Sequence, residues 1–248
     1  MKIAKEAGFR MLLLAAIGLT VVATTDVSKI AFREYRTRFK DPGIIREYLK
    51  VNEIRKLQIG AGGNDSVGWL NSDIEPVHKE IYLDATKPYP FPDGTFQYVF
   101  SEHVIEHVSW EAGVAMLKEC YRVLAMGGKV RIITPNLKKF MQLMTHGADP
   151  EGQRFIAAKL RLHGWPDTAV AEAYIFNKQV REWGHQFLYD PATLRKSLEL
   201  AGFKQISEYR VDEKADPVFR DAASRTGHQG SDIRVVNNWE AMAFEAVR

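Results

Sequence analysis

A short apolar strand, Lys56-Leu57-Gln58-Ile59, runs straight into Gly60-Ala61-Gly62-Gly63, and few folds tolerate such a junction. Glycines let the backbone turn tightly at a strand end and approach a ligand closely, so the pattern points to an α/β fold with a nucleotide-type ligand. Charge narrows the ligand. A dinucleotide fingerprint needs a third glycine three residues after the second, and counting from Gly60 and Gly62 that position is Asp65, whose carboxylate would repel a pyrophosphate. A P-loop needs Lys then Ser or Thr after its last glycine, and Gly68 is followed by Trp69. A ligand with adenosine but no phosphate fits better. Trp69-Leu70-Asn71-Ser72-Asp73 and Glu80-Ile81-Tyr82-Leu83-Asp84 read as the next two strands, each ending in a carboxylate. Asp73 can accept both ribose hydroxyls, and Asp84 can accept from an amine of the ligand. Each acid could equally cap a loop or helix; two acids at successive strand ends beside a glycine turn favour the ligand.

Downstream, Phe96-Gln97-Tyr98-Val99-Phe100 is an aromatic, β-branched strand. Residues 110–124 carry Val114, Leu117, Tyr121 and Leu124 at helical spacing, and Met126-Gly127-Gly128 stops that helix. Lys129-Val130-Arg131-Ile132-Ile133 is a further strand, and the alternation predicts a mostly parallel sheet. Residues 137–184 turn helical and less regular. Residues 190–201 form a helix with Pro191 in its first turn and Gly202 just past its end. Residues 204–211 and 239–246 read as two closing strands, with the polar stretch 212–238 between them read as a long loop. The chain of 248 residues, 46% apolar and 26% charged, is long enough to bury a core without staples. Its single cysteine, Cys120, excludes an intrachain disulfide and a Cys-rich zinc site. A net charge of +3 gives no argument for nucleic acid.

Four segments carry a family resemblance. Leu57-Gln58-Ile59-Gly60-Ala61-Gly62-Gly63 resembles the first motif of class I S-adenosylmethionine-dependent methyltransferases. Asp84-Ala85 with Pro90-Phe91-Pro92-Asp93-Gly94-Thr95-Phe96 resembles the segment after their third strand. Phe100-Ser101-Glu102-His103-Val104-Ile105-Glu106-His107 is similar to their fourth-strand motif, and Tyr121-Arg122-Val123-Leu124 with Gly127-Gly128 to the turn before their fifth strand. The resemblance is to the methyltransferase type 11 branch and covers about residues 55–211. It implies a Rossmann-like three-layer sandwich whose mostly parallel seven-stranded sheet ends in an antiparallel strand pair. It implies S-adenosylmethionine as cofactor, with Gly60, Ala61 and Gly62 at its methionine end, Asp73 on ribose, Asp84 and Ala85 flanking adenine, and Ser101 and His103 near the methyl group. Two departures stand out. Gln58 occupies a position where the family often has an acid. Only thirteen positions separate Gly60 from Asp73 and eleven separate Asp73 from Asp84, too few for full crossover helices, so the early helices are expected to be shortened or replaced by loops.

Methyl transfer from a sulfonium is an in-line displacement that positioning accelerates, and a hydroxyl acceptor also needs a base. His103, His107, Glu106 and His185, the last in Trp183-Gly184-His185-Gln186-Phe187, are the catalytic candidates, with His103 and His185 first. His103-Val104-Ile105-Glu106-His107 also matches H-x-x-E-H, which on a helix could put two histidines on one metal; a metallohydrolase is therefore a rival, although no metal is expected. A non-catalytic cofactor-binding or scaffold protein is the other rival. Residues 137–184 are the expected acceptor side, an insertion carrying Phe140, Met141, Met144, Phe155, Trp165, Tyr174, Phe176 and Trp183. Its Arg154, Lys159, Arg161, Lys178 and Arg181 suit an anionic acceptor or an ordinary solvated helix face. Family analogy adds polysaccharide biosynthesis, hence a small-molecule or glycan-type acceptor. The expected domains are a helical extension over 1–50 and a methyltransferase domain over 51–248. Residues 11–25, apolar after Lys2, Lys5 and Arg10, read first as a packed helix or a short membrane anchor, and only then as a cleaved signal. If they span, Lys29, Arg33, Arg36, Arg38 and Lys40 hold the C-terminal side in the cytoplasm, on the inner membrane face.

Overall fold

The computed structural model describes residues 27–77, 79–167, 170–213, 216–220, 222 and 230–248. The chain divides into two compact units, Met1–Glu47 and Tyr48–Arg248. In the first, residues 27–35 are helical and continue as a π-helical turn, Arg36–Lys40, into helix α1 (Asp41–Val51), whose last residues belong to the second. Arg36 Nε and Asp41 Oδ1 pair at 2.9 Å across that join. The apolar run at 11–25 lies outside the described residues, and among those described no helix is long and apolar enough to cross a membrane.

The second unit is built on a seven-stranded sheet: β1 (Lys56–Ile59), β2 (Leu70–Asp73), β3 (Ile81–Tyr82), β4 (Phe96–Glu102), β5 (Leu124–Pro135), β6 (Lys204–Tyr209) and β7 (Ala241–Val247). Their order is β3-β2-β1-β4-β5-β7-β6. The first five strands run parallel, and β7 lies antiparallel between β5 and β6. The strand order reverses at β1, which pairs with β2 on one side and β4 on the other. Open α/β sheets bind ligands outside the carboxyl ends of their strands at such a reversal. Here those ends are the Gly60 turn and the Ser101-Glu102-His103 tip.

The connections from β1 to β2 and from β3 to β4 contain no helix, and none is found among the described residues between β2 and β3. Chain length dictates this for the first two connections, residues 60–69 and 74–80, because a helix crossing back over the sheet needs a dozen or more residues. From β4 onward the chain has room. Helix α2 (Trp110–Val123) starts on the Ser109 cap, whose Oγ accepts from the Ala112 amide at 3.3 Å, and ends at Leu124. Three helices follow β5: α3 (Leu137–His146), α4 (Pro150–His163) and α5 (Ala171–Arg181). Helix α6 (Pro191–Ala201) is capped by Asp190, which accepts from Thr193 N at 2.7 Å, and closes on left-handed Gly202.

Two expectations need correction. The stretch 212–238 is not one loop: a 3-10 turn occupies Pro217–Arg220, and helix α7 covers Ser231–Glu240, so β7 starts at Ala241 rather than at 239. The helix holds because Val236 and Trp239, three apart, reach a core with Phe140, Phe155 and Ile175. There the Trp239 and Phe155 rings stack at 4.0 Å. The strand expected over 80–84 shrinks to Ile81–Tyr82, since β3 is an edge strand paired only with β2.

Candidate active site

The turn after β1 is set by one close approach. Gly60 has φ +71°, and a Cβ there would sit 2.1 Å from Val104 Cγ2, so only glycine lets the turn meet the tip of β4. Gly62, at φ +56°, faces open space instead. Its amide donates to Asp73 Oδ2 at 2.8 Å, while Glu75 N donates to Oδ1 at 2.8 Å. The acid at the end of β2 is thereby locked onto the glycine turn, and each carboxylate oxygen keeps a lone pair for a hydroxyl. Glu80, which sequence reasoning passed over, is fully buried and braces the same turn through Gly63 N at 3.1 Å and Val77 N at 3.0 Å. The Leu83 amide donates to the Asp73 carbonyl at 2.9 Å, so Asp84 follows directly at the neighbouring strand's tip. Asp84 Oδ1 accepts from Thr86 N at 2.9 Å and Thr86 Oγ1 at 2.7 Å, which is a local turn cap. Ala85 lies inside that turn. Two buried polar atoms near the junction have no protein partner: Gln58 Oε1 on β1 and Ser101 Oγ on β4. Buried polar groups are normally paired, so these two are suited to a ligand.

Past β4 the chain enters a polar cluster. His103 has φ +53°, rare for a residue with a side chain, and its amide is held by Ile133 O at 2.9 Å. Its Nδ1 lies 2.8 Å from Glu106 Oε1 and its Nε2 3.0 Å from Asn237 Oδ1. Asn237 Nδ2 donates to Glu102 Oε1 at 2.9 Å, which fixes the amide so that its oxygen faces the imidazole. Both ring nitrogens of His103 therefore donate, the pattern of an imidazolium, and neither keeps a lone pair for a base or a metal. Glu106 is fully buried and also accepts from Thr134 Oγ1 at 3.1 Å. Burial raises its carboxyl, but the His103 hydrogen bond and charge outweigh this and leave it below the usual carboxylate range.

His185 is far away in sequence but arrives at the same place. Gln186 N and Phe187 N donate to the Glu106 carbonyl at 2.8 and 3.2 Å, and Gln186 Nε2 to the His107 carbonyl at 2.8 Å. The His107 and His185 rings meet at 4.9 Å. His185 Nδ1 donates to the Gln179 carbonyl at 2.6 Å, which leaves Nε2 as the lone-pair nitrogen. Burial pushes the His185 imidazole below its ordinary value, opposed by that Gln179 contact. A cavity of about 170 Å³ opens here, lined by His103, Glu106, His107, His163, Trp183 and His185 among others. Burial, then the Lys159 charge, lowers His163 as well. Trp183 forms one wall at φ +58° with 42% exposure, and its ring stacks with Trp165 at 5.8 Å. Of the apolar side chains named on this side, Phe140 and Phe155 are core, whereas Met141 and Met144 are exposed. Three of the cations are internally paired: Lys159 with Glu240 at 2.6 Å, Arg161 with Asp232 at 2.8 Å, and Lys178 with Glu182. That speaks against an anion site for these three: Arg161 fits the solvated-face reading, whereas Lys159 is buried with its partner acid.

The zinc-protease geometry does not form. Ile105–His107 is a single 3-10 turn rather than an α-helix, so His103 and His107 do not share a helical face, and His103 is turned to Glu106 and Asn237.

A family profile described as a methyltransferase domain matches residues 7–132, more than half of the chain, and the protein belongs to that family. It is a class I S-adenosylmethionine-dependent methyltransferase, and S-adenosylmethionine is its cofactor. The open cradle at Gly62, the anchored Asp73 and the unpartnered Gln58 and Ser101 atoms fit that group. The chain is similar to a SAM-dependent methyltransferase from Archaeoglobus fulgidus, at 17% identity and TM-score 0.46, covering 88% of this chain and 99% of that one. It is also similar to a Mesorhizobium loti S-adenosylmethionine-dependent methyltransferase, at 13% and 0.43, covering 84% and 96%. A third is Haemonchus contortus phosphoethanolamine N-methyltransferase 2 in complex with S-adenosyl-L-methionine, at 16% and 0.40, covering 88% and 60%. No curated protein matches the sequence.

Proposed function

We propose that the protein transfers the methyl group to a hydroxyl of a small-molecule or glycan-type acceptor seated in the cavity beside His107 and His185. The observation that carries this is the commitment of His185 Nδ1 to the Gln179 carbonyl, which leaves the Nε2 lone pair beside His107 and the buried Glu106. A hydroxyl acceptor needs such lone pairs near its proton, whereas an acceptor with its own free electron pair does not. The half-exposed Trp183 face supports a ring-shaped, hydroxyl-bearing acceptor over a linear anion, because the nearby Lys159 and Lys178 are neutralised by acids.

When bound, S-adenosylmethionine supplies the methyl group on its sulfonium. In this reading Gly60, Ala61 and Gly62 receive its methionine end, Asp73 its ribose, and Asp84 with Ala85 its adenine. Ser101 and His103 lie near the transferred carbon, with His103 a fixed donor and a positioning group. His107, His185 and Glu106 activate the hydroxyl. The segment 137–184 forms the acceptor wall of a domain over 51–248, and the extension 1–50 places it on the cytoplasmic face of a membrane, in polysaccharide assembly.

Calorimetry with S-adenosylmethionine and its demethylated product tests the cofactor half. Methyl-label transfer to a panel of sugars, nucleotide sugars and oligosaccharides tests the acceptor half. His185→Ala should lower turnover at least tenfold while cofactor affinity stays within twofold. Tight cofactor binding with no labelled product from any hydroxylated acceptor would sink the proposal in favour of a scaffold. Fractionating membranes with and without residues 1–26 tests the location: loss of membrane attachment is expected on truncation.

A further inference from the structure

Glu106, His107 and His185 form a cluster that neither the H-x-x-E-H pattern nor the expectation of a metal-free site anticipates. One ligand atom from each lies within 4.8 Å of the other two. We infer that these three side chains bind a divalent transition-series cation of the zinc class, with its open positions facing the cavity where the acceptor hydroxyl sits; its catalytic use rests on the methyl-transfer reading above.

The donor set is the first argument. Two imidazoles and one carboxylate with room for further ligands is a recurrent catalytic arrangement for zinc and for non-haem iron. The second is the outer layer, which orients two of the three ligands, His185 and Glu106, as a metal would need. His185 donates its other ring nitrogen to the Gln179 carbonyl at 2.6 Å, fixing the tautomer that presents Nε2. Both Glu106 oxygens are held, by His103 at 2.8 Å and Thr134 at 3.1 Å, and each retains lone-pair capacity for a cation. The backbone closes the cluster, since Gln186 and Phe187 amides clamp the Glu106 carbonyl and bring the two chain segments together. The third is charge. Glu106 is a fully buried carboxylate that shares one oxygen with His103 and turns the cluster's negative side to the cavity, while Lys159 nearby is neutralised by Glu240. Bonds of about 2.1 Å to each ligand place tetrahedral donor atoms about 3.4 Å apart, so the two rings draw in slightly on loading. The cavity of about 170 Å³ leaves space for an acceptor oxygen. A cation there acidifies the hydroxyl, whose proton leaves to water. The oxygen pair then forms the O–CH3 bond as the S–CH3 pair returns to sulfur, giving one methyl ether, one thioether and one released proton.

Cobalt(II) is the probe. Full-length protein titrated with Co²⁺ should bind one equivalent, with visible d–d absorption that Zn²⁺ displaces. His107→Ala and His185→Ala should each weaken Co²⁺ binding at least about tenfold. His146→Ala, on the far end of α3, should bind it unchanged. Circular dichroism and S-adenosylmethionine calorimetry on the same samples report folding and the cofactor site independently of the metal. Absence of the Co²⁺ spectrum, or equal Co²⁺ affinity in the wild type and both histidine variants, overturns the inference. S-adenosylmethionine binding that persists in that case leaves the methyltransferase reading standing, with the histidines acting on the hydroxyl directly.

Discussion

Gly60 and Gly62 stand two residues apart with the same sign of φ and opposite surroundings. Gly60→Ala must absorb backbone strain of about 1–3 kcal/mol and also displace Val104, so a large drop in melting temperature and loss of cofactor binding are expected. Gly62→Ala has open space and should cost only about 1–2 kcal/mol of backbone strain while weakening cofactor affinity, because its methyl enters the cradle. Comparable melting temperatures for the two variants would contradict this. Cys120 is fully buried, and burial pushes its thiol up to about 12. It should resist alkylation at pH 8 in the folded protein and react only after unfolding. At this scale the sequence made the Gly62–Asp73 junction readable, because both residue types have a strong local signature. Asn237 and Gln179 were invisible: an amide and a backbone carbonyl carry no signature until folding sets them against His103 and His185.

At the scale of elements, helix α6 was legible from Pro191 and Gly202, two residues whose backbone preferences need no tertiary support. Strands β1 and β4 and the 129–133 part of β5 were legible from apolar runs, but β5 already begins at Leu124, in the stretch read as the end of a helix and a turn. Helix α7 was not, because its ten residues include Asn237 and Asn238, and it is held by Trp239 packing on Phe155, a contact across the chain. The segment before it is tied to β5 by Lys129 and Asp216 at 2.7 Å. Burial raises the Asp216 carboxyl, but Lys129 and the Val218 amide outweigh this and leave it depressed. A depressed acid stabilises the fold above its unfolded value and loses that contribution as pH falls through the folded one. Wild type should therefore lose more stability than Asp216→Asn between about pH 5 and pH 2, measured by urea unfolding; parallel losses would exclude the pair as the source.

For the whole molecule, the strand order and the tip residues converge on one edge of the sheet, so cofactor binding and global stability are linked. At a concentration about 100 times its Kd, S-adenosylmethionine should add about 2.7 kcal/mol to the unit over 48–248, a rise in melting temperature of about 5–10 °C. No rise at saturation would mean that binding does not discriminate folded from unfolded chain. β7, the seventh strand made, is inserted between β5 and β6 and follows directly on the helix that carries Asn237. On the ribosome, then, β6 waits with no neighbour to join, and His103 waits for its amide, until residues beyond 240 have emerged. The catalytic face can be completed only once β7 has been made, and a nascent chain halted before that point carries its glycine turn without a working enzyme around it.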